Sequence, residues 1–334
     1  MKNQFQVCLI GLGKMGSYHY KALKENQNFV VTNIVDPAKA GDLLGDLTVK
    51  KSLNEIAFNS FDVAIVASAT PTHYSISKEL LLAGKPVLVE KPATTSETEA
   101  RQLCELASKN NVAFAVGHIE RCNPVVSALQ SVINSGVIGA PLHASGERLG
   151  GYPAQISGGN QVILDLAVHE LDVFQSLFGD FQIATGTYHC SRYGNVPDLA
   201  DIQLRWTDGL FGSIQVNWLT PQKVRKLRIT GELGVATVDY ISQRCCVYGD
   251  KLNLENLSVD FQHIEDPFTK AIQLEVESGQ PLQRQLSEWH KMISGRAHNL
   301  CTGDSLVESV ARLSSCLQIS QAAPLPATIQ LQHH

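Results

Sequence analysis

The sequence predicts an α/β chain in two parts: a parallel sheet covered by helices on both faces, then an α/β part with a large, mostly antiparallel open-faced sheet. Three observations carry this. An apolar strand-like run at 5–10 leads into Gly-x-Gly-x-x-Gly, with Gly11, Gly13 and Gly16 as its glycines. Strand and helix patterns then alternate up to Arg121, as in a parallel sheet with crossover helices. Beyond it, from 182 to about 276, turn signals such as Thr207-Asp208-Gly209 separate a series of short strands.

In order, residues 5–10 form a buried strand. Gly11 allows a tight turn, Gly13 lets the backbone approach a pyrophosphate, and Gly16 lets the next helix, about 14–25, pack closely on the strand. Lys14 and Met15 stand at that helix's N-terminus, whose N–H groups suit phosphates. A second strand at 29–35 ends at Asp36, where a carboxylate accepts the adenosine ribose hydroxyls. This is a dinucleotide-binding Rossmann fingerprint. Asp36 repels a 2′-phosphate and no arginine follows it; Lys39 is the one nearby cation in sequence, so NAD is expected over NADP. A short helix follows Asp36, then strands at 47–49, 61–67, 86–89 and 112–116. Helices span 71–83, with Pro71 in the first turn, and 96–109, with Ser96 and Glu99 as a capping box.

Past Arg121, helices are expected at 124–133 and 163–178, a strand at 143–149, and amphipathic helices at 282–293 and 304–321. The expected division is a nucleotide-binding part at 1–121 and a substrate-binding and oligomerisation part at 122–334, with a loose tail at about 322–334. In 210–219, Phe211, Ser213, Gln215 and Asn217 alternate with Gly212, Ile214, Val216 and Trp218. One face therefore suits a core and the other a polar subunit interface, so a homodimer or homotetramer is expected.

The chain has 334 residues and a formal net charge of −5, which argues against a general nucleic-acid binder. No apolar run reaches the length of a membrane span, and the N-terminus lacks a signal-like cleavage site. The eight cysteines contain no C-x-x-C pair and read as reduced thiols of a cytoplasmic protein, with no metal site expected.

Four clusters offer chemistry. Ser68, Thr70, Pro71 and His73 follow the 61–67 strand and can line the nicotinamide ribose side; alternatively they form a capped helix start in which His73 is incidental. Glu90-Lys91-Pro92 ends a strand, which places the Lys91 cation where an alkoxide develops, and Pro92 is often cis in such a setting. Glu120, Arg121 and Asn123 lie at the expected domain junction. Arg121 can grip a phosphate or carboxylate, or it can pair with Glu120 to fix the crossover. Asp165 and His169 stand at i and i+4 on an otherwise apolar helix, and an Asp-oriented His is a good proton acceptor from a hydroxyl.

These segments, in this order and together with His19, resemble the glucose–fructose oxidoreductase, inositol dehydrogenase and MocA family. The resemblance spans nearly the whole chain. It implies hydride transfer at a sugar or cyclitol carbon, with NAD as cofactor and Lys91, Asp165 and His169 as the catalytic positions. Residues 117–124, Gly-His-Ile-Glu-Arg-Cys-Asn-Pro, are similar to a segment of the branch that oxidises the 3-hydroxyl of UDP-linked N-acetylhexosamines such as UDP-N-acetylglucosamine. Arg148, Tyr152 and the residues between them also look like that branch. Cys122 and the run 157–166 depart from its usual pattern. The branch implies Lys91, Glu120, Arg121, Asn123, Arg148, Tyr152 and His169 around the substrate. It also implies a 3-keto product passed to an aminotransferase, as in formation of the 3-amino sugar of some lipid A molecules. Inositol or a free sugar as substrate, and a non-catalytic NAD-binding regulator, are the rival expectations.

Overall fold

The computed structural model describes residues 4–151, 161–192 and 196–322. They form two compact units: residues 1–127 with 277–311, and residues 128–276 with 312–334. The sequence suggested one boundary, after Arg121. The structure instead returns 277–311 to the first unit, and the boundary after 121 is corrected accordingly. The physical reason is α6 (Pro281–Ile293): its buried Leu286 and Trp289 complete the core that also contains Leu23 and Phe29.

The first unit opens with β1 (Phe5–Ile10), α1 (Lys14–Lys24) and β2 (Phe29–Val35). A small hairpin follows, β3 (Leu43–Leu44) and β4 (Leu47–Thr48). Then come β5 (Val63–Val66), α2 (Thr70–Leu82), β6 (Val87–Glu90), α3 (Glu97–Lys109) and β7 (Phe114–Gly117). The five main strands run parallel in the order β2-β1-β5-β6-β7. All four residues of β5, β6 and β7 are buried, as both-face coverage requires. Alternate residues of β1 serve two cores. Val7 and Leu9 pack with Leu23 of α1, while Cys8 and Ile10 pack with Leu80 and Leu81 of α2. α1 and α2 therefore cover opposite faces. Ser96 caps α3, its side chain accepting from the Glu99 N–H.

The second unit contains most of α4 (Pro124–Asn134), then β8 (Pro141–Leu149) and α5 (Val168–Phe178). A π-helical turn, Ile163–Ala167, leads directly into α5. Its hydrogen bonds run i→i+5 rather than i→i+4, so the helix expected at 163–178 is widened where Asp165 stands. The sheet adds β9 (Gln182–His189), β10 (Leu199–Arg205), β11 (Phe211–Asn217), β12 (Val224–Gly231), β13 (Val235–Asp239), β14 (Arg244–Tyr248), β15 (Phe261–Ile264) and β16 (Ala271–Leu274). Their order is β15-β16-β14-β13-β12-β8-β11-β10-β9. Neighbours are antiparallel except β8 and β11, which pair in parallel. The α6 (Pro281–Ile293) and α7 (Gly303–Ala322) helices close the chain.

β11 shows the expected two faces: Gly212, Ile214 and Val216 are buried, whereas Phe211 and Gln215 are exposed. Asn217 departs from that pattern. It is buried because its Oδ1 accepts the N–H groups of Leu219 and Thr220 at the strand end. Among the described residues no helix is long and apolar enough to cross a membrane. All eight cysteines are free thiols, and burial pushes those of Cys8, Cys245 and Cys316 up to about 12.

Candidate active site

The glycine turn of the first unit has the geometry its sequence implies. Gly11 has φ +94°, and a Cβ there would meet the Ala67 carbonyl oxygen at 2.5 Å. A Cβ on Gly16 would collide with the Gly11 carbonyl, so the third glycine permits the close helix–strand packing. Space beside Gly13 is open for 4 Å, which leaves its backbone approachable, and Gly13 is the N-cap of α1 with no side-chain cap. The uncapped N–H groups there are a place for phosphate.

A cavity of about 770 Å³ extends from this turn. Gly11, Gly13, Lys14, Met15, Asp36 and Ser68, all positions singled out in the sequence, line it. Leu53 and Ile76 add apolar wall that sequence reasoning did not assign to the site. They could hold the flat face of an adenine, and no local motif marks them. The residues present therefore fit a dinucleotide. Asp36 Oδ2 accepts the Leu12 N–H at 2.7 Å and Oδ1 the Ala38 N–H at 2.9 Å. Each oxygen keeps a further lone pair for a ribose hydroxyl. Lys39 donates through Nζ to the Leu12 carbonyl at 2.8 Å.

Thr70, Pro71 and His73 lie in the first turn of α2. His73 is buried and spans two loops. Its Nδ1 lies 2.8 Å from the Pro92 carbonyl oxygen and its Nε2 3.0 Å from that of Ser68. Burial lowers its pKa, against the opposing pull of those carbonyls and of the Glu90 charge. The Lys91–Pro92 peptide is cis, as expected. Glu90 is buried with Oε1 2.7 Å from His19 Nε2, and its Oε2 accepts the Lys91 N–H at 3.3 Å. Burial pushes the Glu90 carboxyl upward, but the His19 hydrogen bond and charge and the Lys91 cation outweigh it, so its pKa is lowered.

The Glu120 and Arg121 positions fall in a 3-10 turn, Ile119–Cys122. Arg121 is 7% exposed and donates through Nη2 to Ser305 Oγ at 3.1 Å. Asn123 is buried, donating to Glu120 Oε2 at 3.1 Å and accepting the Val125 N–H at 3.3 Å.

In the second unit, Asp165 and His169 are half-buried, while Leu166, Ala167, Val168 and Glu170 between and beside them are buried. Asp165 Oδ2 accepts the indole N–H of Trp218 at 3.1 Å. Trp218 follows β11 and is fully buried, and its backbone N–H donates to the Asp198 carbonyl. Arg148 is 4% exposed, and its Nε donates to Glu170 Oε1 at 2.7 Å. Tyr240 donates to the other Glu170 oxygen at 3.0 Å. Arg148 thus ties β8 to α5, one residue past His169. Tyr152 lies outside the described residues.

Residues 5–118 match the model of an oxidoreductase family with an NAD-binding Rossmann fold, and residues 126–237 match the GFO/IDH/MocA C-terminal domain. The UDP-N-acetylglucosamine 3-dehydrogenase of Acidithiobacillus ferrooxidans is 25% identical over 72% of this chain and 75% of its own. Inositol 2-dehydrogenase 2 of Saccharopolyspora erythraea is 27% identical over 96% of this chain and 99% of its own. Among solved structures, an oxidoreductase from Agrobacterium radiobacter in complex with NAD+, L-tartaric acid and magnesium superposes with a TM-score of 0.78. It is 18% identical and covers 96% of this chain and 97% of its own. The chain belongs to the GFO/IDH/MocA oxidoreductase family of NAD-dependent dehydrogenases acting on CH–OH groups of sugars and polyols.

Proposed function

We propose that the chain oxidises the 3-hydroxyl of a UDP-linked N-acetylhexosamine, UDP-N-acetylglucosamine first among them, to the 3-keto sugar. The observation that carries this reading is the Glu120-Arg121-Cys122-Asn123-Pro124 segment, taken with the similarity to the Acidithiobacillus enzyme over most of both chains. His169 takes the proton from the sugar O3. Asp165 orients the imidazole and stabilises the imidazolium, while the Trp218 N–H fixes the carboxylate. Lys91 stabilises negative charge on O3 as it develops. Bound NAD supplies the hydride acceptor. Gly11, Gly13, Gly16 and Asp36 hold its pyrophosphate and ribose, and Lys14, Met15, Ser68, Thr70 and Pro71 complete that wall. Glu120, Arg121, Asn123, Arg148 and Tyr152 belong to the substrate side. The exposed sheet face around Phe211 joins copies of the chain into a homodimer or homotetramer in the cytoplasm. An aminotransferase consumes the keto product, supplying a 3-amino sugar for lipid A or another envelope glycan.

A second reading, oxidation of inositol or a free sugar, draws on the inositol dehydrogenases among the relatives. It also draws on the burial of Arg121 and Arg148, whose guanidinium groups are engaged with Ser305 and Glu170. A diphosphate is best served by arginines that face solvent. NADH formation on a panel of UDP-sugars and inositols separates the two readings.

A further inference from the structure

The turn that carries Lys91 is gripped from both faces of the parallel sheet. On the α1 face, His19 Nε2 lies 2.7 Å from Glu90 Oε1, with both side chains buried. The second carboxylate oxygen accepts the Lys91 N–H. On the α2 face, His73 Nδ1 holds the Pro92 carbonyl at 2.8 Å. Glu90, Lys91 and Pro92 are consecutive, so each side of the lysine is tied to a different helix.

The strand beside Glu90 is cut to fit it. Gly117 is the register partner of Glu90 on β7. A Cβ at Gly117 would stand 3.2 Å from Glu90 Oε1 and 2.9 Å from Nε2 of Gln285, a fully buried side chain of α6. A larger residue there would press on both side chains. Burying a carboxylate is costly unless it is hydrogen-bonded and paired. A simple apolar strand end would hold the fold without that cost.

We infer that Glu90 is a positioning residue for Lys91: held by His19, its buried carboxylate fixes the lysine backbone and couples electrostatically to the lysine side chain. The inference rests on the reading of Lys91 as the cation at the reacting oxygen. Among the described residues, the titratable groups whose charge or hydrogen bonds act on Glu90 are His19 from α1, Lys91 from the turn and His73 from α2. Gln285 from α6 is neutral. His19 and His73 act through Glu90 and Pro92 and complete the clamp.

The test reads the Lys91 titration without any substrate. The full-length protein is reductively methylated with ¹³C-formaldehyde, and the Lys91 resonance is assigned by its loss in Lys91→Arg. In Glu90→Gln the Lys91 midpoint falls by about one unit or more, since a carboxylate close to a cation shifts it by roughly one to three. An unchanged midpoint overturns the inference. Should Glu90→Gln fail to fold, His19→Leu and His19→Gln replace it. Leucine leaves the buried carboxylate without its donor, favours its protonation and lowers the Lys91 midpoint, whereas glutamine can still donate and preserves it. Equal midpoints in both and in wild type overturn the inference. Turnover of Lys91→Met on the panel of UDP-sugars and inositols tests the role of Lys91 separately. Full turnover there, with the midpoint shift intact, removes the catalytic reading and leaves the electrostatic coupling standing.

Discussion

The indole N–H of Trp218 points at Asp165, with Nε1 3.1 Å from Oδ2. The pair joins the end of β11 to the π-helical turn that feeds α5, and so fixes the Asp165 carboxylate on the turn that precedes His169. Trp218→Phe keeps an aromatic ring but removes the donor. Turnover is expected to fall about tenfold, the equivalent of roughly 1.4 kcal/mol, with the Kd for NAD unchanged. The loss is expected to be smaller than in Asp165→Asn. Steady-state kinetics of the two variants check this, and unaltered turnover in Trp218→Phe removes the indole from the mechanism.

Asp36 sits in the cofactor turn with one oxygen on the Leu12 N–H and the other on the Ala38 N–H. Asp36→Ala therefore weakens NADH binding and shifts preference toward NADPH, because the carboxylate that accepts ribose hydroxyls also repels a phosphate. Fluorescence titration with both nucleotides measures the ratio. A wild type that already prefers NADPH contradicts the argument.

Acid should loosen the clamp around Lys91. The His73 pKa is lowered from 6.5 by burial. Its neutral form is thus favoured in the fold, and the stability this provides is full above pH 6.5 and lost as pH falls through the folded value. Glu90, also lowered, loses its contribution on the same acid side, below the ordinary carboxylate value of 4.5. Urea unfolding at stepped pH is expected to show stability declining below about pH 6.5, with a shallower decline just below that value in His73→Gln. Equal slopes in the two proteins count against His73 as the source.

The local geometry of the cofactor turn was legible at Gly16, which answers to the nearby Gly11 carbonyl, and less so at Gly11, where the collision is with Ala67 on a strand far off in sequence. The alternation of β11 was legible because the pleat sets which side chains are buried along most of the strand, Asn217 at its end excepted. Three features were not. The Trp218–Asp165 bond joins residues 53 apart in sequence, and nothing local selects the partner. His19 and His73 reach the same turn from opposite faces of the sheet, a relation that exists only once strand order is known. The amphipathic pattern of α6 showed a face to bury but not where, so its return to the first unit was hidden. Arg121 and Arg148 are the reverse case. The sequence left Arg121 as either an anion grip or a partner of Glu120, and resemblance put Arg148 on the substrate side, while the structure buries both, against Ser305 and Glu170.

The exposed face of the second unit's sheet carries Phe211, 52% exposed, with its ring centroid 4.6 Å from that of His143. A homo-oligomer built on this face predicts that Phe211→Glu lowers the mass seen by light scattering at micromolar concentration. A wild-type monomer under those conditions contradicts it.

Base catalysis by His169 on a nucleotide sugar is read out as NADH appearance with NAD and UDP-N-acetylglucosamine. Wild type is expected to turn over this substrate in preference to inositols. His169→Asn is expected to bind NAD normally and to turn over about 10²–10⁴-fold more slowly, the usual worth of a positioned general base. Full turnover in His169→Asn, or turnover of inositols with none of the UDP-sugar, contradicts the account.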